Sequence, residues 1–142
     1  MPVTNKETRS LADRLQLRCK HFTGVQKDTC AAGVVYASVR DDTTRPYGFP
    51  CLLDYAGNAT CEKRELPTRE EAEAEERESD AAFQRVNLCM KAIRDKHGKA
   101  RGIVAEMPCP TGCGGTLRYS IASYNRHVHG GCTTDGCARW MQ

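Results

Sequence analysis

The amino-acid sequence predicts a small α+β fold whose stability does not come mainly from a large apolar core. Only 39% of the 142 residues are apolar, only 6% are aromatic, and nine are cysteines. Short strand-like segments alternate with one long helical segment, so both element types are expected. A chain with so little apolar mass usually needs cross-links or bound metal to offset the entropy lost on folding. The cysteines are the residues that can supply either.

The compartment decides between disulfides and metal. Residues 1–16 are polar and charged and lack the apolar run of a secretory signal. No stretch approaches the roughly 20 apolar residues of a membrane span. We therefore expect a cytoplasmic protein, in which thiols stay reduced and clustered cysteines hold metal more often than they form disulfides. The fold class that follows is a metal-stabilised α+β fold, with disulfides as the alternative if the chain is exported.

Composition divides the chain into four predicted segments. They are a tail or short helix at 1–17, a cysteine-rich piece of short strands and loops at 18–66, a long charged helix at 67–98, and a second cysteine-rich segment at 99–142. In the first segment, Thr4 or Ser10 could cap the short helix. The third segment is the clearest secondary-structure prediction.

Thr68 and Glu71 have the spacing of a capping box at the start of this long helix, and Gly98 offers a stop at its end. One apolar stripe is predicted on its second half, formed by Phe83, Val86, Met90 and Ile93. Between Ala72 and Ala82 the helix has only alanines to bury. We expect that half to face water.

The last segment contains two close pairs of cysteines, Cys109–Cys113 and Cys132–Cys137, with eighteen residues between the pairs. Zinc takes four ligands in a tetrahedron, and two cysteines on one tight turn can hold one edge of it. The interval predicts a strand at 116–121, a turn at 124–126 and a returning strand, which brings the second pair beside the first. The sequence therefore predicts that these four cysteines bind one structural zinc ion.

Residues 104–142 resemble the zinc-ribbon superfamily, in which two such turns, called knuckles, supply four cysteines and β-hairpins join them. The common knuckle has two residues between its cysteines, whereas these two have three and four. His127 and His129 lie close enough in sequence to replace one cysteine ligand. With two cysteine-rich pieces around a charged helix, the whole chain looks like small zinc-binding proteins of bacteria and phages.

Four further cysteines form a looser group, which has no close pair: Cys19, Cys30, Cys51 and Cys61. A second zinc site is the favoured interpretation, because this segment also lacks the apolar mass to fold alone. An iron–sulfur cluster and plain buried thiols remain open, as does His21 as a substitute ligand. Cys89, on the long helix, is expected to be a small core residue.

The sequence contains no motif of a known catalytic site. We find no HExxH, no phosphate-binding GxxxxGK[ST], no nucleophile elbow and no deaminase pattern. The chain is therefore expected to be non-enzymatic, with no small-molecule substrate. A metal-dependent hydrolase or nuclease that uses His127, His129 and Glu106 is a less favoured alternative.

The charge distribution points to nucleic acid as the partner. Residues 81–142 carry nine Lys and Arg against three Asp and Glu, a net charge of +6. Tyr119, Tyr124 and Trp140 are available for base stacking. Five side chains are predicted to contact phosphate: Arg118, Arg126, His127, His129 and Arg139. A regulatory or accessory factor that binds nucleic acid through its C-terminal ribbon is the favoured function.

A protein partner is the alternative. Residues 62–80 carry nine acidic side chains against four basic ones, a net charge of −5. An acidic face on the first half of the long helix, from Glu70 to Asp80, could dock on a basic surface as an adaptor or inhibitor does.

Overall fold

The computed structural model of the protein describes residues 9–41, 48–57 and 59–142. The chain forms two compact units, Met1–Glu76 and Arg77–Gln142, which are called here the N-terminal and the C-terminal unit. The boundary lies inside the long helix. Among the described residues, none of the helices combines the length and the apolarity that a membrane span needs.

The described elements confirm an α+β fold. The helices are α1 (Leu11–Leu15), α2 (Tyr36–Val39) and α3 (Arg69–His97), with one turn of 3-10 helix at Leu53–Tyr55. The strands are β1 (Ile103–Pro108), β2 (Thr116–Ile121), β3 (Val128–Cys132) and β4 (Arg139–Trp140).

The N-terminal unit begins with α1, which Ser10 caps as the sequence predicts. The Ser10 hydroxyl accepts the Asp13 N–H at 3.1 Å, and the Asp13 carboxylate accepts the Ser10 N–H at 3.0 Å. Thr4, the other candidate cap, lies outside the described residues. Beyond α1, backbone pairing in the described part of this unit is limited to isolated bridges, where the sequence predicts short strands. These bridges join Arg18 to Leu52, Thr29 to Val35, and Asp41 to Gly48.

The long helix α3 begins and ends where the sequence predicts. The Thr68 N–H donates to the Glu71 carboxylate at 2.8 Å, and the Glu71 N–H donates to the Thr68 hydroxyl at 3.2 Å, which completes the capping box. At the other end Gly98 adopts a φ of 58°, and its N–H donates to the Arg94 carbonyl at 2.8 Å. Glycine takes this left-handed conformation without steric cost, so the helix stops there.

Two expectations about α3 are wrong. Ala72 does not face water: it is completely buried, because Ala12 and Leu15 of α1 pack on it. Phe83 does not belong to the packed stripe, since 66% of it is exposed. The apolar cluster of the C-terminal unit includes Val86, Met90 and Ile93 of the predicted stripe but does not reach Phe83.

The C-terminal unit contains an antiparallel sheet of four strands in the order β1-β2-β3-β4. The predicted alternation of β2 is confirmed, because Leu117, Tyr119 and Ile121 are buried while Arg118 is exposed. These inner-face residues form one core with the second half of α3, and Cys89 is part of it, as expected. The β2–β3 connection turns at the predicted residues, with Arg126 at a φ of 61°.

Two contacts close the core of this unit. The Tyr119 hydroxyl lies 2.6 Å from His97 Nε2. His97, in the last turn of α3, therefore provides a hydrogen-bond partner for this buried hydroxyl. The Trp140 ring packs on the backbone of Gly130, where a Cβ atom would lie 2.5 Å from the indole. Any side chain at position 130 would therefore displace the Trp140 ring from this position.

We predict that Ala72→Leu destabilises the contact between α1 and α3. The site has no free volume, and overpacking a buried position costs about 1–3 kcal/mol of unfolding free energy. Hydrogen exchange of the α1 amides, followed by NMR, should accelerate accordingly. Ala74→Leu is the matched control, because Ala74 is exposed on the same helix. Equal protection of α1 in both variants would contradict the packing described here.

Candidate metal centre

Two short loops bring four cysteines together at one end of the sheet. The first loop is closed where the Cys109 N–H donates to the Gly115 carbonyl at 2.9 Å, and the second where the Cys132 N–H donates to the Ala138 carbonyl at 2.8 Å. Antiparallel pairing of Leu117 with Cys132 sets the two loops side by side. The loops and the strand register together therefore determine where the thiols meet.

The four sulfur atoms form a group that could hold a metal ion. Cys109 Sγ lies 3.7 Å from Cys137 Sγ, and Cys113 Sγ lies 3.4 Å from Cys132 Sγ. All four sulfur atoms lie within 4.8 Å of one another. In a tetrahedron with zinc–sulfur distances of about 2.3 Å, sulfur atoms are about 3.8 Å apart. The spacing thus fits a four-thiolate site, which is called here the C-terminal centre.

Backbone N–H groups point at these sulfur atoms. The Gly115 N–H donates to Cys113 Sγ at 3.4 Å, and the Thr134 N–H donates to Cys132 Sγ at 3.4 Å. Such hydrogen bonds stabilise the thiolate form and orient metal ligands. Each loop therefore supplies one donor to its own cysteine.

A threonine hydroxyl also lies inside the group. Thr111 Oγ1 is 3.2 Å from the sulfur atoms of both Cys109 and Cys137. Hydrogen bonds from Thr134 and Thr111 and from the Gly115 N–H lower the pKa of Cys113 to about 5. At neutral pH this thiol is ionised, which is the form that a metal requires.

Three residues that support the centre were not predicted from the sequence. Thr111 and Thr134 lie inside the two loops, so a search for hydroxyls between paired cysteines would have found them. Arg85 comes from α3, and its Nε donates to the Cys137 carbonyl at 2.9 Å. No local pattern indicates that contact, because 52 residues separate the partners.

Cys89 lies beside the C-terminal centre. It is completely buried and packs in one cluster with Cys109 and Cys132. Burial, with repulsion from the Cys109 thiolate, raises its pKa to about 12. Cys89 therefore stays a neutral thiol, in keeping with its predicted role as a small core residue.

The two histidines that the sequence offered as possible substitute ligands are not part of this group. Among the described residues, the only close set of cysteine, histidine and carboxylate ligand atoms is the four-cysteine one, so His127 and His129 do not join it. Nor do these histidines form such a set with Glu106, whose carboxylate lies 3.6 Å from Arg118 Nε. The alternative of a hydrolase or nuclease therefore gains no metal site from these three residues.

The N-terminal cysteines (Cys19, Cys30, Cys51 and Cys61) lie in the other unit. All nine cysteines of the chain are free thiols. His21, the candidate substitute ligand there, lies with Nε2 3.3 Å from the Glu65 carboxylate. It is thus engaged with an acidic side chain.

The five predicted phosphate-contacting residues lie on two different surfaces. Arg118, His129 and Arg139 line a shallow groove of about 620 Å³ on the side of the sheet that faces away from α3, which is called here the outer face. Arg126 and His127 line a second cavity, of about 430 Å³, together with Arg94. The sequence indicated the residues but not this division.

The three aromatic residues proposed for base stacking have different environments. Tyr119 is only 4% exposed and is not available, because its ring belongs to the core, so that expectation is wrong. Trp140 is half-buried and packs on Gly130. Tyr124, at the β2–β3 turn, is 81% exposed.

Comparison with known proteins yields no match to any family model, curated protein or solved structure. The zinc-ribbon resemblance therefore depends on the four cysteines and their geometry alone.

We predict that Gly115→Ala weakens metal binding at the C-terminal centre. A Cβ atom there would collide with Thr134 Oγ1 and would lie 2.8 Å from Cys132 Sγ. Disturbing such supporting contacts typically lowers metal affinity about 10–100-fold. Competition with a chromophoric chelator measures the change.

Gly131→Ala is the matched control for this prediction, since its Cβ atom would meet nothing closer than 3.7 Å. An unchanged affinity in Gly115→Ala would contradict the geometry of the loops.

Proposed function

We propose that this chain is a non-enzymatic zinc-binding protein, a regulatory or accessory factor whose C-terminal unit binds nucleic acid through the outer face of its sheet. The observation that carries the proposal is the pair of arginines, Arg118 and Arg139, that flank an open strip of backbone beside a four-thiolate centre.

Zinc is the metal that best suits the C-terminal centre. Four thiolates at tetrahedral spacing favour zinc, which prefers sulfur ligands and has no geometric preference of its own. Four protein ligands leave no open position for water or substrate, and such closed sites are typical of structural rather than catalytic zinc. This donor set is the reason for proposing a non-enzymatic role.

The outer face offers a flat, cationic surface for a sugar–phosphate backbone. Gly131 pairs with Arg118 on one side and with Arg139 on the other, so no side chain stands between the two guanidinium groups. His129 lies in the same groove. Phosphate contacts of this kind supply most of the sequence-independent affinity for nucleic acid.

Two acidic residues lie near this charge: Asp135 lines the same groove, and Glu106 pairs with Arg118. Glu106 lies 3.6 Å from Arg118, but 72% of the Arg118 side chain and 64% of the Glu106 side chain are exposed. An exposed ion pair contributes at most about 1 kcal/mol, so a phosphate can displace it. The C-terminal unit as a whole carries ten Lys and Arg against five Asp and Glu.

Arg126, His127 and Tyr124 extend the proposed surface at the β2–β3 turn. Arg126 and His127 line a cavity whose described lining contains no Asp or Glu side chain. Tyr124 is exposed beside them and can stack on an unpaired base. A strand of nucleic acid could use either surface, and the variants below distinguish them.

The acidic half of α3 offers less support for the alternative of a protein adaptor. Five of its seven acidic side chains already have partners in the chain. Glu71 contacts Lys20, Glu73 contacts Arg69, Glu75 contacts Arg18, Glu76 accepts the Leu11 N–H, and Glu78 contacts Arg85. A docking partner would have to compete with these contacts.

We predict that removal of zinc unfolds the sheet of the C-terminal unit. Four thiolates held this close repel one another without a cation, and binding to such sites provides about 10–16 kcal/mol in zinc-finger peptides. Cys113→Ser should have the same effect as a chelator on the β2 and β3 amide signals in NMR spectra. Asp135→Ser, in the Cys132–Cys137 loop, is the matched control. An intact sheet in metal-free protein would refute the structural role.

We predict that Arg118→Ala combined with Arg139→Ala weakens binding of a fluorescent 20-nucleotide single strand or duplex. The slope of log affinity against log salt should decrease by about one for each phosphate contact removed. Fluorescence anisotropy at several salt concentrations measures both. A matching variant, Arg126→Ala, tests the cavity at the turn.

Arg77→Ala controls for a general loss of charge, since Arg77 is exposed on α3 and lines neither the groove nor the cavity. No binding by the unmodified protein at low salt, or an equal loss in the Arg77→Ala variant, would argue against the outer face.

A further inference from the structure

Three of the N-terminal cysteines, which are far apart in sequence, pack in one place in the N-terminal unit. Cys19 and Cys51 are both buried in one small cluster with Tyr36, and Cys30 packs against that cluster. The Cys19 N–H donates to the Cys51 carbonyl at 2.7 Å, so these two residues are direct neighbours.

The segment after Cys61 lies against the same two cysteines. The Glu65 N–H donates to Cys19 Sγ at 3.3 Å, and the Arg64 guanidinium donates to the Pro50 carbonyl at 3.4 Å. The segment that follows Cys61 thus contacts both Cys19 and the residue before Cys51.

The local geometry repeats that of the C-terminal centre. Three N-terminal cysteines begin a turn in which the residue three positions later donates its N–H to the cysteine carbonyl: Phe22 to Cys19, Gly33 to Cys30, and Arg64 to Cys61. Gly112 makes the same contact with Cys109 in the C-terminal centre. The Glu65 N–H also donates to Cys19 Sγ, although it comes from a distant segment, whereas the donors to Cys113 and Cys132 lie two residues after their cysteines.

We propose that Cys19, Cys30, Cys51 and Cys61 form a second four-thiolate site, which binds zinc and holds the N-terminal unit in its fold. Among the described residues only the C-terminal four already have their ligand atoms gathered as a metal group, so the N-terminal thiols are not yet at ligand spacing. Zinc at about 2.3 Å from each sulfur requires sulfur spacings of about 3.8 Å, so binding draws the N-terminal thiols together.

The composition of the N-terminal unit explains why it needs this metal. The buried apolar clusters in its described part are small: one consists of Ala12, Leu15 and Ala72, and the other of Cys19, Tyr36 and Cys51. Isolated bridges add few backbone hydrogen bonds between distant segments. Clusters of this size rarely offset the entropy of ordering a chain of such length, whereas a metal that links four distant segments does.

Metal stoichiometry in the full chain tests the proposal independently of the C-terminal function. Native mass spectrometry with elemental analysis should find two zinc ions in the unmodified protein and one in Cys113→Ser. That remaining ion should be lost in the double variant Cys113→Ser with Cys51→Ser. Two variants at the half-buried Cys61 are compared in the Cys113→Ser background. Cys61→His should retain the remaining ion, because histidine is also a zinc ligand. Cys61→Ser should lose it.

The Cys113→Ser variant keeps every residue of the N-terminal unit, so its metal content is informative even if another variant fails to fold. Finding no metal in it would overturn the proposal. A brown protein that contains iron would overturn the assignment to zinc in favour of a cluster. Retention of the ion when both Cys51 and Cys113 are serine would place the metal elsewhere and would also overturn the proposal.

Discussion

The meeting of four thiols at one end of the β2–β3 hairpin is the constraint on which the C-terminal unit depends. Four sulfur atoms within 4.8 Å of one another cannot all be ionised without a cation between them. Their positions follow from the pairing of Leu117 with Cys132. A slip of one residue in that register would turn Cys132 to the opposite face of the sheet and remove it from the group.

The core of the C-terminal unit continues directly from this centre. Cys109 and Cys132 are part of the same buried cluster as Leu117 and Ile93, so the four-cysteine group and the contact between helix and sheet form one structure. Arg85 adds a polar link, from α3 to the Cys137 carbonyl. Because the inner face is occupied in this way, the outer face is the broad surface of the sheet that remains open to a partner.

Charge is used differently in the two halves of α3. The first half carries acidic side chains that accept hydrogen bonds or pair with cations from earlier in the chain, and they thereby hold α1 and the Lys20 region against the helix. The basic residues of the C-terminal unit have fewer such partners, as Arg118 shows with its single exposed carboxylate neighbour. This difference is why the cationic surface, rather than the acidic one, is the better candidate for an interface.

The sequence by itself determined the features that depend on neighbours a few residues apart. These are the capping box of Thr68 and Glu71, the alternation of β2, the turn before His127 and the two close cysteine pairs. Contacts across 20 or more residues were decided only by the tertiary structure. They bury Ala72 and Tyr119, leave Phe83 exposed, bring Arg85 to the four-cysteine group and divide the five predicted phosphate-contacting residues between two surfaces. The physical reason is that local patterns specify backbone conformation, whereas burial and ligand geometry depend on which distant segment packs on each side chain.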